Sequence, residues 1–237
     1  MSIKVSQPAI ILRRVAYGDA DWIVTFFTRE MGRVTGIAKF ARVSRRRFGG
    51  ALEPGTVVQM SYSERRGQGL VRLEEAQARL PMNGAMKSLE RIGGVARVLA
   101  LALAFLQEGE ANPEKFDLLC ERLAGLSQRD PGQLDTAAFE LRWLAMCGYA
   151  PVLGGCVACG EGDADSGRWS FDFERGGLCC PSCRTSGSAV RLVAEARRGL
   201  GALSAGDAEL DEVCAGAARE MLGRYIDHVV GRPLAVR

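Results

Sequence analysis

Twenty residues separate Cys156-Val-Ala-Cys159 from Cys180-Pro-Ser-Cys183, and these two pairs constrain the chain around them more than any other feature of the sequence. Each pair can set two sulfurs around one ion, and the intervening loop or small hairpin can bring the pairs together. Tetrahedral Zn²⁺ held by four thiolates fits that spacing. Gly160, Gly176 and Gly177 supply flexibility beside the knuckles. Cys179 directly precedes Cys180, so a shifted ligand set is open, but Cys180 keeps the regular two-residue gap to Cys183 and is preferred. Two spaced pairs outside a strand-to-helix thioredoxin context favour metal over disulfide exchange. Four protein ligands leave no open position for water, which argues against metal-assisted hydrolysis. The expected role is a structural cross-link that pins Trp169, Phe171 and Phe173 in a segment with too little apolar content for its own core. Glu161, Asp163 and Asp165 make that segment an unattractive surface for phosphate.

The rest of the composition bears on where such thiols survive. The chain has 237 residues, 47% of them hydrophobic, enough for one large domain or two modest ones and too apolar for a disordered or fibrous protein. Its longest wholly apolar run in the helical region, Val98 to Leu106, is far shorter than the roughly 20 residues needed to cross a bilayer. The opening MSIKVSQPAIILRR has no apolar stretch ending in a small-residue cleavage site, so a cytoplasmic location is expected, with no membrane partner. Eight Cys in such a chain read as thiols or metal ligands rather than four disulfides. Cys120, Cys147 and Cys214 fall in helical patterns and read as small buried side chains.

The chain changes character near residue 80. Pro8 to Ala16, Asp21 to Arg29, Gly32 to Ala41, Gly55 to Arg65 and Gly69 to Leu80 are rich in Val, Ile, Thr and Phe. Gly18-Asp19, Glu30-Met31-Gly32 and Arg66-Gly67-Gln68 supply turns between them. Five strands in this length fit a small antiparallel barrel of the oligonucleotide-binding (OB) type, with an SH3-like barrel or a sandwich open on the same pattern. Helices are expected over Ile92 to Leu106, from the Asn112-Pro113 start through Leu123, over Ala137 to Tyr149 and over residues 191–203. A last helix follows from the stripe Leu210, Cys214, Ala217, Met221 and Tyr225. The expected class is therefore α+β: an OB-type barrel over residues 1–80, then a helical domain over 81–237 with a four-cysteine zinc module inserted at 151–190.

Charge is distributed unevenly over this frame. Residues 1–80 hold 14 Lys or Arg against 7 Asp or Glu, whereas the remainder is net acidic. Within Lys39-Phe-Ala-Arg42-Val-Ser-Arg45-Arg46-Arg47-Phe48 five cations fall in nine residues. Lys offers phosphate a mobile point charge, and Arg a fork and a stacking plane. Phe40 and Phe48 can stack on a base or anchor the loop. No base-reading pattern follows, so binding led by the phosphate backbone is expected. Catalytic signals are weak: the single His228 adjoins the apolar stripe of the last helix, the paired carboxylates are commonplace, and no GxxxxGK[ST] loop is present. The chain is not expected to be an enzyme.

Several ordered motifs together resemble the bacterial RecO family of recombination mediators and DNA-repair proteins. They are Leu12-Arg-Arg-Val-Ala-Tyr17-Gly18-Asp19-Ala-Asp21, Phe27-Thr28-Arg-Glu-Met-Gly32-Arg33, Ala38-Lys39-Phe-Ala41-Arg42 and Leu52-Glu53-Pro54. Phe139-Glu140-Leu141, Gly148-Tyr149-Ala-Pro151 and the two cysteine pairs extend the likeness over nearly the whole chain. Phe40 stands where the family usually has Gly, Gly55 where an aromatic is common and Asp19 where Glu is frequent. The resemblance implies binding of single-stranded and duplex DNA, annealing of complementary strands and partnership with RecR. It also implies contact with the acidic C-terminal tail of single-stranded-DNA-binding protein and help in loading RecA, in a nucleoid-associated setting. Arg33, Lys39, Arg42, Arg45, Arg46 and Arg47 are the expected DNA-binding residues, and Cys156, Cys159, Cys180 and Cys183 the expected metal ligands. The competing reading is a zinc-stabilised protein-interaction adaptor that does not handle DNA.

Overall fold

A computed structural model describes residues 3–44, 46–64, 69–162, 168–184, 189–206 and 209–234. The chain divides into two compact units, at Asp130 and Pro131. Arg45, the Arg66-Gly67-Gln68 turn, Asp163 and Asp165 lie outside the described residues.

The first unit begins with strands β1 (Ile3–Tyr17), β2 (Asp21–Thr28), β3 (Gly32–Ala38), β4 (Val57–Glu64) and β5 (Val71–Leu80). They close into a barrel in the order β1-β2-β3-β5-β4, the OB architecture. The closure is not wholly antiparallel as expected from the sequence: β3 and β5 run parallel, with Gly36 opposite Val71. An odd number of strands cannot alternate direction around a ring, so at least one neighbouring pair must be parallel. β1 reaches two partners because its halves pair differently, residues 3–10 with β4 and 9–17 with β2. A register shift between Ile11 and Arg13 bends it at the change.

Alternating residues of these strands fill the barrel. Ala9, Ile11, Val24, Phe26, Val58, Met60, Tyr62 and Leu73 share one core with Phe48, Ala51 and Leu52 from the β3–β4 connection. The opposite face of β2 is covered too, since Phe27 is fully buried and its ring lies 5.9 Å from that of Phe116. Phe116 belongs to α2 (Pro113–Gln128), which follows α1 (Leu89–Phe105). Both helices are capped by side chains: the Ser88 hydroxyl accepts from the Arg91 N–H at 3.1 Å, and the Asn112 amide oxygen from the Lys115 N–H at 2.9 Å. The sequence boundary at residue 80 marks where strands give way to helices, whereas the contacts keep α1 and α2 with the barrel.

Gly32, at the β2–β3 turn, has φ +69° and sits against the backbone of Glu110, where an added Cβ would come within 2.3 Å of the carbonyl oxygen. Gly32→Ala should therefore cost about 2–4 kcal/mol, from left-handed strain plus a clash that neither backbone can relieve cheaply. Urea unfolding of the barrel unit should show the lower midpoint; an unchanged midpoint would mean that the turn does not depend on this close approach.

The second unit holds α3 (Gln133–Met146), the short strands β6 (Ser170–Asp172), β7 (Gly177–Cys179) and β8 (Ala189–Arg191), and helices α4 (Ala194–Ala205) and α5 (Glu212–Val230). α5 packs against both α3 and α4. Its buried residues include Cys214, Ala215, Ala218, Met221, Leu222, Tyr225 and Ile226, a broader face than the single stripe of the sequence reading. Leu210 precedes the helix, and Ala217 is only partly buried. No helix among the described residues is long and apolar enough to cross a membrane.

Candidate metal centre and nucleic-acid interface

The sulfurs of Cys156, Cys159, Cys180 and Cys183 all lie within 4.8 Å of one another. Two tight turns produce this. After Cys156, the Gly160 N–H donates to the Cys156 carbonyl at 2.8 Å, which folds the first pair back on itself. The Cys183 N–H donates to the Cys180 carbonyl at 3.2 Å and curls the second pair. The Val157 N–H donates to the Leu178 carbonyl at 2.7 Å, which fastens the first turn to β7. A metal ion can be held by this group, and zinc is consistent with it. Zn–S bonds of about 2.3 Å at tetrahedral angles place sulfurs about 3.8 Å apart, and Cys159 Sγ and Cys180 Sγ are separated by 3.8 Å.

The local electrostatics suit a cation. Burial opposes ionisation of Cys156, but N–H groups of Cys180, Cys159 and Ala158 point at its sulfur and bring the thiol down to about 6. Cys183 is pushed up to about 12, chiefly by its hydrogen bonds to Cys159 and Cys180. Four thiolates this close repel, and a divalent ion relieves that repulsion. Cys179 is fully buried on β7 and outside the sulfur group, and burial pushes its thiol up to about 11.

The module is fastened to the helices of its own unit by aromatic contacts. β6 lies between β7 and β8. Phe171 on β6 is fully buried, with its ring 5.2 Å from that of Tyr225 on α5. Phe173 stacks on His228 at 5.7 Å, near the C-terminal end of α5. Trp169 lies under the Arg197 guanidinium of α4 at 4.8 Å. His228 therefore has a packing partner, and no described thiol cluster includes it.

The basic segment lies in the first unit, in the connection that leaves β3. Lys39, Arg42 and Arg46 are exposed, and Arg47 is half-buried. Arg47 is held by donation from Nη2 to the Lys39 carbonyl at 2.6 Å and lies over the Phe48 ring at 5.0 Å. Arg42 Nη1 donates to the Asp19 carbonyl at 2.9 Å, and its guanidinium lies 5.8 Å from the Trp22 ring. Arg14 approaches the same ring at 4.7 Å and pairs with Glu53 at 2.7 Å, a cation beside this segment that the sequence reading did not single out. Its signal was faint, because nothing in the sequence brings Arg14 to Trp22 until β1 and β2 pair. Arg33 stands apart, at the other end of β3, where its Nη1 donates to the Leu103 carbonyl near the end of α1 at 3.2 Å. Phe48 is buried in the barrel core, whereas Phe40 is 61% exposed. An apolar cavity of about 710 Å³ adjoins the segment, lined by Arg46, Phe48, Pro54, Met82, Val95 and Leu99 among others.

The chain thus joins an OB barrel with an exposed basic connection to a mainly helical part that carries a four-thiol centre. Residues 1–81 match the family model described as recombination protein O N terminal, and residues 86–237 the one described as recombination protein O C terminal. The chain thus belongs to the RecO family of DNA repair proteins. It is 34% identical to the DNA repair protein RecO of Anaeromyxobacter sp. (strain Fw109-5), an alignment that covers 100% of this chain and 95% of that one. Identity to the RecO of Anaeromyxobacter dehalogenans (strain 2CP-C) is 36% over 99% of this chain and 94% of the relative. For that of Myxococcus xanthus (strain DK1622) it is 34%, over 98% and 94%.

Proposed function

We propose that this protein is a non-enzymatic recombinational repair mediator that binds single-stranded and duplex DNA through residues 1–80 and anneals complementary strands. With RecR, and through the acidic tail of single-stranded-DNA-binding protein, it assists RecA loading on coated DNA in the nucleoid. The observation that carries this reading is the exposed cationic run of Lys39, Arg42 and Arg46 on an OB barrel in a RecO-family chain. Arg45 and Arg47 join the proposed interface by their place in the same run, whereas the Arg33 guanidinium is taken up by the end of α1.

The mechanism is positional. Cations on the connection neutralise phosphates of one strand and release its counterions. The lowered charge reduces repulsion of an approaching complementary strand, and base pairing supplies the remaining free energy. No nucleotide hydrolysis is needed. Cys156, Cys159, Cys180 and Cys183 hold Zn²⁺ in this reading, and the ion supplies a closed structural cross-link with no open coordination position. These residues then tie the turn after Cys156 to the end of β7, whose partner β6 carries Phe171 against Tyr225.

The test is annealing of complementary strands, bare and coated, without ATP. The protein should accelerate both, and added salt should suppress the acceleration by screening the phosphate contacts. Removing the coating protein's acidic tail should slow only the coated reaction. The apolar cavity beside α1 gives the adaptor reading its own observation; a wild-type protein that neither binds nor anneals DNA at low salt would favour that reading.

A further inference from the structure

Phe40 is placed at some conformational cost and obtains little burial in return. Among the described residues it is the one non-glycine residue with positive φ, at 57°, a region that the Cβ of an L-residue penalises. Strain of this kind is normally offset by packing, yet the ring is 61% exposed. The conformation is held from both sides. The Phe40 N–H donates to Asp21 Oδ1 at 2.8 Å, and its carbonyl accepts from the N–H groups of Val43 at 3.3 Å and Ser44 at 3.0 Å. The Arg42 N–H donates to the Ala20 carbonyl at 3.0 Å and docks the turn onto the β1–β2 corner. At that corner Tyr17, 56% exposed, stands opposite Asp21 in the ladder.

We propose that Phe40 is a base-stacking residue for single-stranded nucleic acid, its ring held outward by the Asp21-anchored left-handed turn while neighbouring cations take the phosphates. The inference rests on the DNA-binding reading and deepens it. Exposed Lys39 immediately precedes Phe40 and exposed Arg42 follows two positions on, which supplies charge for the backbone on which a stacked base hangs. A duplex already satisfies its bases by stacking and offers the ring no free face. The ligand is therefore an unpaired base of any identity, because every base has a π-face.

Three ligands separate the contributions when bound to the full chain at matched salt: oligothymidine, an abasic strand of equal phosphate count and a blunt duplex. Phe40→Gly should fold normally, because Gly accepts the positive φ without strain. It should bind oligothymidine about 5- to 150-fold more weakly, the span that one base–aromatic stack is worth, with the salt slope unchanged. Affinity for the abasic strand and the duplex should stay at the wild-type level, and Phe40→Tyr should retain oligothymidine binding. Wild-type oligothymidine affinity in Phe40→Gly would overturn the stacking role, as would an equal loss on all three ligands, which would make Phe40 a scaffold for the loop. Wild-type protein that binds none of the three would instead remove the parent DNA-binding reading.

Discussion

Replacing Cys156 and Cys180 together with Ser should take the protein from one zinc per chain to none and lower the unfolding transition of the second unit, leaving the barrel transition in place. The two residues come from different turns, so the double change removes one ligand from each pair. Thiolate zinc sites in small domains contribute about 10–16 kcal/mol of apparent binding energy. The effect on folding here should be smaller, because Phe171 and Trp169 also hold the module against α5 and α4. Cys179→Ser should keep the metal, since that thiol lies outside the sulfur group. Protons compete with the ion for sulfur, so acidification should release metal and raising the pH should restore retention. Metal analysis with thermal unfolding checks these outcomes. Full zinc occupancy in the double variant would reject the site.

Replacing Lys39, Arg45 and Arg46 with Gln should weaken binding to single strands on the order of 100-fold near 0.1 M salt and flatten the salt dependence by about 2. Each phosphate contact contributes roughly 0.9 to the slope on duplex and 0.7 on single strands, so three lost contacts account for the change. Lys39 and Arg46 are exposed, and their replacement leaves the barrel core untouched. Arg47 is kept in this variant because its guanidinium bonds the Lys39 carbonyl and covers Phe48, so its removal would disturb the loop as well as the charge. Circular dichroism should match wild type. Unchanged affinity and slope in the folded variant would move the interface off this connection.

Local chemistry made much of this protein legible in its sequence. Asn112-Pro113 marked the start of α2 correctly, because a side-chain oxygen for the orphan N–H groups and a residue without an N–H are both local requirements. The sequence pattern starts β1 at Pro8, whereas the strand begins at Ile3, because Gln7 interrupts the apolar alternation. Gln7 is nevertheless buried, and its Nε2 donates to the Tyr62 hydroxyl at 2.6 Å across the β1–β4 pair. The sequence pattern starts α3 at Ala137, whereas the helix begins at Gln133, because Gly132 provides no side-chain cap to mark the start.

The sequence by itself determined which residues can ligate a metal, where strands yield to helices and which segment carries the positive charge. Each of these depends on residue type and spacing along the chain. Only the tertiary structure decided that β3 and β5 close the barrel in parallel, because closure depends on how many strands meet around the ring. It placed α1 and α2 with the barrel rather than with the later helices, through contacts such as that of Phe27 with Phe116. It also separated Phe40 from Phe48, two aromatic residues eight positions apart in the same basic segment. Phe48 falls where the connection re-enters the barrel core, and Phe40 where the Asp21 carboxylate turns the backbone into the left-handed region. Burial at these two positions depends on what the rest of the chain brings alongside, and their shared residue type does not encode it.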